Sequence, residues 1–593
     1  MELKTQVKAL NYTKKILLGE TDSILPWTAY PQKPIFRQTS RQMTHLPTST
    51  PEENGIASQD LIQLLEQLAA LPQAQAHCFL VARQGKLLFS ADFKPYTAQL
   101  WHVSHSLCKS LVGIAIGILI DQEKISLDTL LSEVFPQYFN LFTSRRTRSL
   151  TIKHLLTMSS GINFREVGAV LEKDWLRSYF EADVIFEPGT RFEYNSMNSY
   201  VLGCVVQEIA KKSLSEFLTK HIFDPLGFGA FEWETCPMGR EKGGWGLYLM
   251  PEDMVKLGIL LLNGGVWQNA DGSQTRILSE EWAKEMTTTQ IQAENSGYGM
   301  HIWTMNDGSY AMNGMYGQYV YCVPKNNLVA VLCSGSTNIF AEGPAFDLLQ
   351  EAFSQKTFPT SLPADPQALA SLCETANHLQ FNTPIQPQPI PEPQPWYKSL
   401  LQKFIHCPEE KHEPTEGENM CKTLAGKCFV AEENKVGILP LIVQCMQGNY
   451  TQGTQRIEFL QKEQTLQMIW QDGKDVITIP LNFEKPEEFQ LLIGAEQWKV
   501  ASIAKATSNE DDVPVLKVSL CFLEHSSVRN MKFFFYPERT IVKMSETPSM
   551  LKSLFQMKGN PQVDLVFDLF KDAGYAQYRF KQFCCPKLQL KEK

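Results

Sequence analysis

The chain has 593 residues, which at roughly 100–200 residues per domain predicts two to four domains. Its hydrophobic fraction of 43% and charged fraction of 20% are those of an ordinary globular protein. A net charge of −9, with no long Lys/Arg run, argues against a nucleic-acid partner. The lysine-bearing N-terminus has no apolar stretch of signal-peptide length. The longest apolar run, Leu111 to Ile120, is about half of what spans a bilayer. A soluble, cytoplasmic chain without a membrane partner is expected. The 14 cysteines include no Cys-x-x-Cys pair, so neither a metal nor a cofactor is expected. Several sit in apolar runs, such as Cys204, Cys322 and Cys333, and read as small buried hydrophobes in a reduced compartment.

Residues 1–44 are mixed and polar and read as an N-terminal arm. Residues 45–360 read as one domain. Ser58 to Leu71 has helical spacing, with Ser58 as N-cap. The segment from His77 reads as two strands around the turn Gln84-Gly85. The most hydrophobic helix begins at Ser106 and runs to Asp121. Helical and strand-like segments alternate irregularly to about 355, which predicts an α+β fold rather than a βαβ repeat. Residues 361–419 read as a linker with short helices. It contains the Pro-rich run 383–396, which favours an extended chain, and a short helix at 398–405.

From 420 to 593 the texture is β. Strand-like runs are expected at 426–434, 437–446, 454–460, 465–470, 475–481, 488–494, 515–523 and 530–537. Their spacing predicts a compact antiparallel barrel or sandwich-like domain.

The pattern that carries chemistry is Ser-x-x-Lys. One helical turn places both side chains on one face, so the amine can meet the hydroxyl. The helix N-terminus favours a developing alkoxide. Burial eases loss of the lysine proton. The chain has three such tetrapeptides, at Ser106/Lys109, Ser502/Lys505 and Ser549/Lys552. Only Ser106 opens a helix hydrophobic enough to be central. Ser502 reads as the end of a strand, and Ser549 follows Pro548 in a surface segment.

The segment WHVSHSLCKSLVGIAIGILIDQEKISLD (101–128) resembles the nucleophile helix of the β-lactamase-like serine hydrolases. That family includes penicillin-binding DD-peptidases, class C β-lactamases, family VIII esterases, D-aminopeptidases and aminohexanoate-dimer hydrolases. Further landmarks follow in family order: TPEENGIAS (50–58), LTIKHLLTMSSGI (150–162), FEPGTRFEYNSMNSYVLG (186–203), GGWGLYLMPEDMVKLG (243–258) and GYGMHIW (297–303). The resemblance covers roughly 45–355 and implies a transpeptidase-like antiparallel sheet flanked by helices.

It also implies roles. Ser106 is the nucleophile and Lys109 its activating partner. The family's Tyr-x-Asn motif has two candidates. Tyr138-Phe-Asn140 has the matching letters, but Tyr194-Asn-Ser196 has the family's context after PGTRFE, and Tyr194 is chosen. Ser196 then stands where Asn is usual, as in the aminohexanoate-hydrolase branch. The third motif, usually a cation followed by a small residue and Gly, is here Met312-Asn313-Gly314. Its missing cation weakens recognition of a substrate carboxylate. The resemblance pairs the N–H groups of Ser106 and Met315 as an oxyanion hole, with Tyr316 and Trp245 near the pocket. His102 and His105, which flank the nucleophile, read as packing or surface residues, and His154 as structural.

These readings predict a serine hydrolase that cleaves a small-molecule ester, amide or short peptide through an acyl-enzyme on Ser106. The alternatives are a peptidase for D-amino-acid or cell-wall fragments, and a non-catalytic binding protein on the same fold. The β domain carries no catalytic constellation. In D-aminopeptidase relatives such a domain restricts the substrate.

Overall fold

The computed structural model describes residues 33–36, 41–169, 171–339, 343–383, 415–462, 465–549 and 585–593, with isolated positions at 11, 15, 552, 553 and 556. Most of the Pro-rich run and the expected helix at 398–405 fall outside the described residues.

Strand β1 (Ala76–Arg83) is buried along its whole length, because both faces of its sheet are covered. Cys78, Leu80 and Ala82 face one core while Phe79 and Val81 face another, as the two-residue period requires. The turn to β2 (Lys86–Asp92) has positive φ at both Gln84 and Gly85, 53° and 77°, the geometry that suits a two-residue hairpin. The other strands of this sheet are β3 (Ile291–Gln292), β4 (Gly297–Tyr298), β5 (Trp303–Thr304), β6 (Tyr310–Gly314), β7 (Gln318–Val323) and β8 (Leu328–Ser334). Their order is β2-β1-β8-β7-β6-β5-β4-β3, antiparallel throughout. Helix α1 (Ser58–Ala70) packs on one face together with the helices Pro344–Phe353 and Pro366–His378. Helices α2 (Cys108–Asp121), α3 (Ser196–Ala210) and α4 (Pro251–Leu262) pack on the other. The architecture is α+β, as expected.

Helix α2 is buried on all sides from Cys108 to Leu119. Gly117 makes that possible: a Cβ there would lie 1.9 Å from Trp282 Nε1. The indole donates instead to the Gly113 carbonyl at 3.2 Å. At α1 the structure corrects one detail. Ser58 is the first helical residue and not the cap. Its N–H is satisfied by the Glu52 carboxylate at 2.8 Å, a longer side chain reaching from the preceding turn.

The C-terminal part is a separate, nearly closed β-sheet. Its ten strands are β9 (Cys428–Ala431), β10 (Thr454–Lys462), β11 (Thr465–Asp472), β12 (Asp475–Leu481), β13 (Glu487–Ile493), β14 (Glu496–Ser508), β15 (Pro514–Phe522), β16 (Val528–Tyr536), β17 (Arg539–Thr547) and β18 (Lys587–Glu592). The order is β12-β11-β10-β9-β18-β17-β16-β15-β14-β13. Gly494 N–H donates to Asp475 Oδ2 at 2.9 Å between the two end strands. Inward positions alternate with outward ones, as with Leu466, Met468 and Trp470 of β11.

Two local expectations fail here. The run 437–446 is not a strand, because Leu441–Gln447 is a helix. A short apolar run has no period that separates a buried strand from a buried helix. The Gln444 side chain, one turn along, bonds back to the Leu439 carbonyl at 2.9 Å. Ser502 lies within β14 rather than at its end, and its hydroxyl is bound to the Pro480 carbonyl.

The β-sheet domain docks through the loop between β15 and β16. Val103 N–H donates to the Glu524 carbonyl at 3.0 Å. The Glu524 carboxylate accepts from Trp101 Nε1 at 2.6 Å and from Lys33 Nζ at 2.5 Å.

Candidate active site

Ser106 sits in a single 3-10 turn, His105–Leu107, that leads into α2. His105 before it has φ 47°, a left-handed conformation that non-glycine residues seldom adopt and that clusters at functional sites. The turn presents the Ser106 side chain one residue short of the fully buried helix. Lys109, 2% exposed, follows one turn later. Its Nζ lies 2.8 Å from Ser106 Oγ and donates to the Gly244 carbonyl at 2.6 Å.

The Gly244 carbonyl is held by close packing. A Cβ on Gly243 would sit 2.7 Å from the Ser199 carbonyl, and one on Gly244 would sit 2.6 Å from that of Ser196. Only glycines let this loop lie backbone to backbone on α3. The buried Lys242–Glu234 ion pair, at 2.6 Å, braces the same loop. Tyr248 OH donates to Glu234 at 3.3 Å, and Gln447 Nε2 of the β-sheet domain donates to it at 2.7 Å.

Tyr194 lies just before α3. Its ring centroid is 5.0 Å from Lys109 Nζ. The ring stacks on Trp303 at 5.8 Å with planes 20° apart, and Tyr298 meets it edge-on at 6.4 Å. Arg165 Nη1 donates to the Tyr194 carbonyl at 2.7 Å and pairs with Glu193. Ser106 and Lys109, one turn apart, are thus in contact, and the Tyr194 ring from a distant segment lies beside Lys109. Tyr138 does not join them, and packs on Phe180 at 5.7 Å.

Ser196 is the first residue of α3, and its N–H donates to Glu166 Oε1 at 3.1 Å. It borders Gly244 and so lies beside the site. Asn198 is absorbed by structure, its Oδ1 accepting from Ser160 Oγ at 2.8 Å and Tyr179 OH at 2.7 Å.

Gly314 ends β6, and a Cβ there would lie 2.2 Å from the Ser104 carbonyl. Of β6, only Tyr310 and Ala311 pair with β5, so Met312–Gly314 extend past it toward the turn that carries Ser106. Met315 packs partly buried against the β-sheet core. Tyr316 is 0% exposed, and its hydroxyl meets Ser553 Oγ at 3.2 Å. It is directed into the interdomain core, with its ring edge-on to His105 at 5.8 Å. Trp245, half-buried, stacks on Trp175 at 5.5 Å.

His77, His102 and His105 are buried. His77 Nδ1 and His102 Nε2 are 3.0 Å apart, and His105 Nε2 is 3.0 Å from Ser526 Oγ. Burial pushes His102 down to about 4 and His105, also repelled by His102 and Lys109, down to about 3. His154 completes a capping box with Thr151. Burial raises the Cys108 thiol to about 12.

Sequence reasoning passed over His301. Its Nδ1 faces the Leu156 carbonyl at 2.9 Å, which fixes the proton there and leaves Nε2 to accept from Ser199 Oγ at 2.9 Å. Its own carbonyl accepts from Ser110 Oγ at 2.7 Å. One residue thus ties α2, α3 and the 152–156 helix together. Burial, then the Lys109 charge, pushes it down to about 3. Its place in GYGMHIW was visible, but its partners lie 102 and 145 residues away. Glu234 and Gln447 were missed for the same reason. Among the described residues no group of three His, Cys, Asp or Glu side chains could hold a metal ion.

An antiparallel sheet and a helical layer, with the Ser106–Lys109 pair at the start of the buried helix between them, form the fold of the β-lactamase/transpeptidase-like serine hydrolases. The family model for β-lactamase matches residues 61–351, and this part of the chain has the β-lactamase/transpeptidase-like fold. Protein flp of Staphylococcus aureus (strain MW2) is 30% identical over 125 residues, 20% of this chain and 25% of that protein. The match therefore spans about a quarter of that relative's length. Lovastatin esterase of Penicillium rubens is 29% identical over 227 residues, 34% of this chain and 56% of that protein. Among solved structures, a putative 6-aminohexanoate-dimer hydrolase from Bacillus anthracis is similar with a TM-score of 0.45 and 20% identity, over 55% of this chain and 90% of that one. A penicillin-binding protein homologue from Pyrococcus abyssi, described as octameric, covers 82% of this chain and 97% of that one, with a TM-score of 0.37 and 15% identity.

Proposed function

We propose that the protein is a serine hydrolase that cleaves a small-molecule ester or amide through an acyl-enzyme on Ser106. The observation that carries the reading is the Lys109 amine, 2.8 Å from the Ser106 hydroxyl and anchored on the Gly244 carbonyl at 2.6 Å. An amine so placed takes the hydroxyl proton as the oxygen attacks the carbonyl. Tyr194, beside Lys109, passes that proton to the departing alcohol or amine as the carbonyl–heteroatom bond breaks. Water then adds to the acyl-serine, giving up a proton to Lys109, which returns it to the Ser106 oxygen as the ester bond breaks and the acid is released. The N–H groups of Ser106 and Met315 are the candidates to stabilise the tetrahedral oxyanion.

Met312 stands where a cation would bind a substrate carboxylate. That favours an uncharged acyl group over a β-lactam or a peptidoglycan stem. The partial match to lovastatin esterase supports an ester. The test is turnover on a panel of p-nitrophenyl esters, aryl amides and D-Ala p-nitroanilide, with Ser106→Ala alongside. Ester turnover lost in the variant supports the reading. Cleavage of the D-Ala anilide alone would shift it to a D-amino-acid peptidase, and no turnover on any member to a binding protein.

A further inference from the structure

Leu141 and Phe142 stand out from the rest of the surface. They are 95% and 96% exposed, whereas the next most exposed large apolar side chain among the described residues, Val476, is 63% exposed. Large apolar groups that protrude together mark interaction sites.

The turn that carries them is firmly built. Asn140 N–H donates to Thr143 Oγ1 at 3.0 Å, and Phe142 N–H to Asn140 Oδ1 at 2.9 Å. Thr143 N–H donates to the Asn140 carbonyl at 3.0 Å. Arg148 Nε donates to the Thr143 carbonyl at 3.2 Å, and its Nη2 also binds the Asn140 carbonyl. Three backbone N–H groups and two carbonyls are thus bonded within the turn and by Arg148, while the two side chains are almost fully exposed.

The surroundings are basic on an otherwise acidic molecule. Arg145, Arg146 and Arg148 follow within six residues of Phe142 in a chain of net charge −9. Arg146 pairs with Glu187 at 3.1 Å. Neither Arg145 nor Arg148 has a carboxylate partner among the described residues. Arg146 Nη1 also reaches the Val184 carbonyl at 3.3 Å.

We propose that the turn Asn140–Thr143, with the arginines behind it, docks the protein on an anionic lipid surface. Leu141 and Phe142 enter the headgroup and acyl boundary, and the guanidinium groups meet lipid phosphates. A convex tip suits a bilayer, which closes around it, better than it suits a rigid protein face. The net negative charge of the chain repels the same surface elsewhere, so the tip also sets the orientation. This contact needs no spanning helix and does not depend on the catalytic reading.

The test is sedimentation of the full chain with phosphatidylcholine vesicles, pure or with about 30% phosphatidylglycerol. The protein should pellet with the anionic vesicles and much less with the neutral ones. Binding should weaken as salt is raised. The double variant Leu141→Ser/Phe142→Ser should lose about tenfold or more in partitioning with an unchanged melting temperature. Arg145→Glu should weaken binding severalfold. No binding to either vesicle, or equal binding by the double variant, overturns the proposal. So would lipid-free self-association that the double variant abolishes, which would assign the tip to a second copy of the chain.

Discussion

Gln447 of the β-sheet domain donates a hydrogen bond to Glu234 of the hydrolase domain at 2.7 Å. Glu234 holds Lys242, whose loop carries the carbonyl that binds Lys109. The second domain is thus three polar contacts from the base that we place at the reaction centre. Gln447→Leu leaves a buried carboxylate one donor short, which costs about 1–3 kcal/mol. Thermal unfolding should show that loss, and kcat should fall more than KM rises. An unchanged kcat in a destabilised variant would confine Gln447 to a structural role.

Lys109→Met removes the amine and keeps the length of the side chain. Loss of a positioned base lowers kcat by about 100- to 10,000-fold. Tyr194→Phe keeps the stack on Trp303 and removes only the hydroxyl, so kcat should drop with little change in melting temperature. Steady-state kinetics and circular dichroism on the same samples check both.

Gly314→Val places a side chain where a Cβ would already lie 2.2 Å from the Ser104 carbonyl. The strand must retreat from the nucleophile turn. Overpacking of this kind costs about 1–3 kcal/mol, and activity should fall at least about tenfold as the oxyanion donors separate. A fully active, stable Gly314→Val protein would contradict the placement of β6 beside Ser106.

The buried histidines set a pH dependence. In the folded state burial pushes His102 to about 4 and His105 and His301 to about 3, below an unfolded value near 6.5. Between these values the unfolded chain binds more protons, so stability rises with pH up to about 6.5 and is lost below it. Each histidine contributes a slope on the order of 1 kcal/mol per pH unit in that window. Urea midpoints from pH 7 down to 4.5 should fall accordingly, and His301→Gln should make the fall shallower.

The sequence made the hydrolase half legible because its signals are local. The Ser-x-x-Lys spacing is one helical turn, the hairpin at Gln84-Gly85 is two residues, and the glycines at 243 and 244 sit in a recognisable run. The C-terminal β texture showed through alternation, but 437–446 had none and was misread. What stayed hidden depends on contacts between distant segments. The loop that brings Glu524 and Ser526 against Trp101 and His105 joins residues more than 420 positions apart. No periodicity records such a pairing. Tyr316 illustrates the same limit: no local signal records that its hydroxyl meets Ser553, 237 positions away.

The central claim is that the Ser106 oxygen is an activated nucleophile. Intact-mass analysis after treatment with a fluorophosphonate reads this directly. The account predicts a single stoichiometric adduct on the native chain, mapping to the peptide that contains Ser106 and absent from Ser106→Ala. An unmodified native chain, or an adduct that survives in Ser106→Ala, would contradict it.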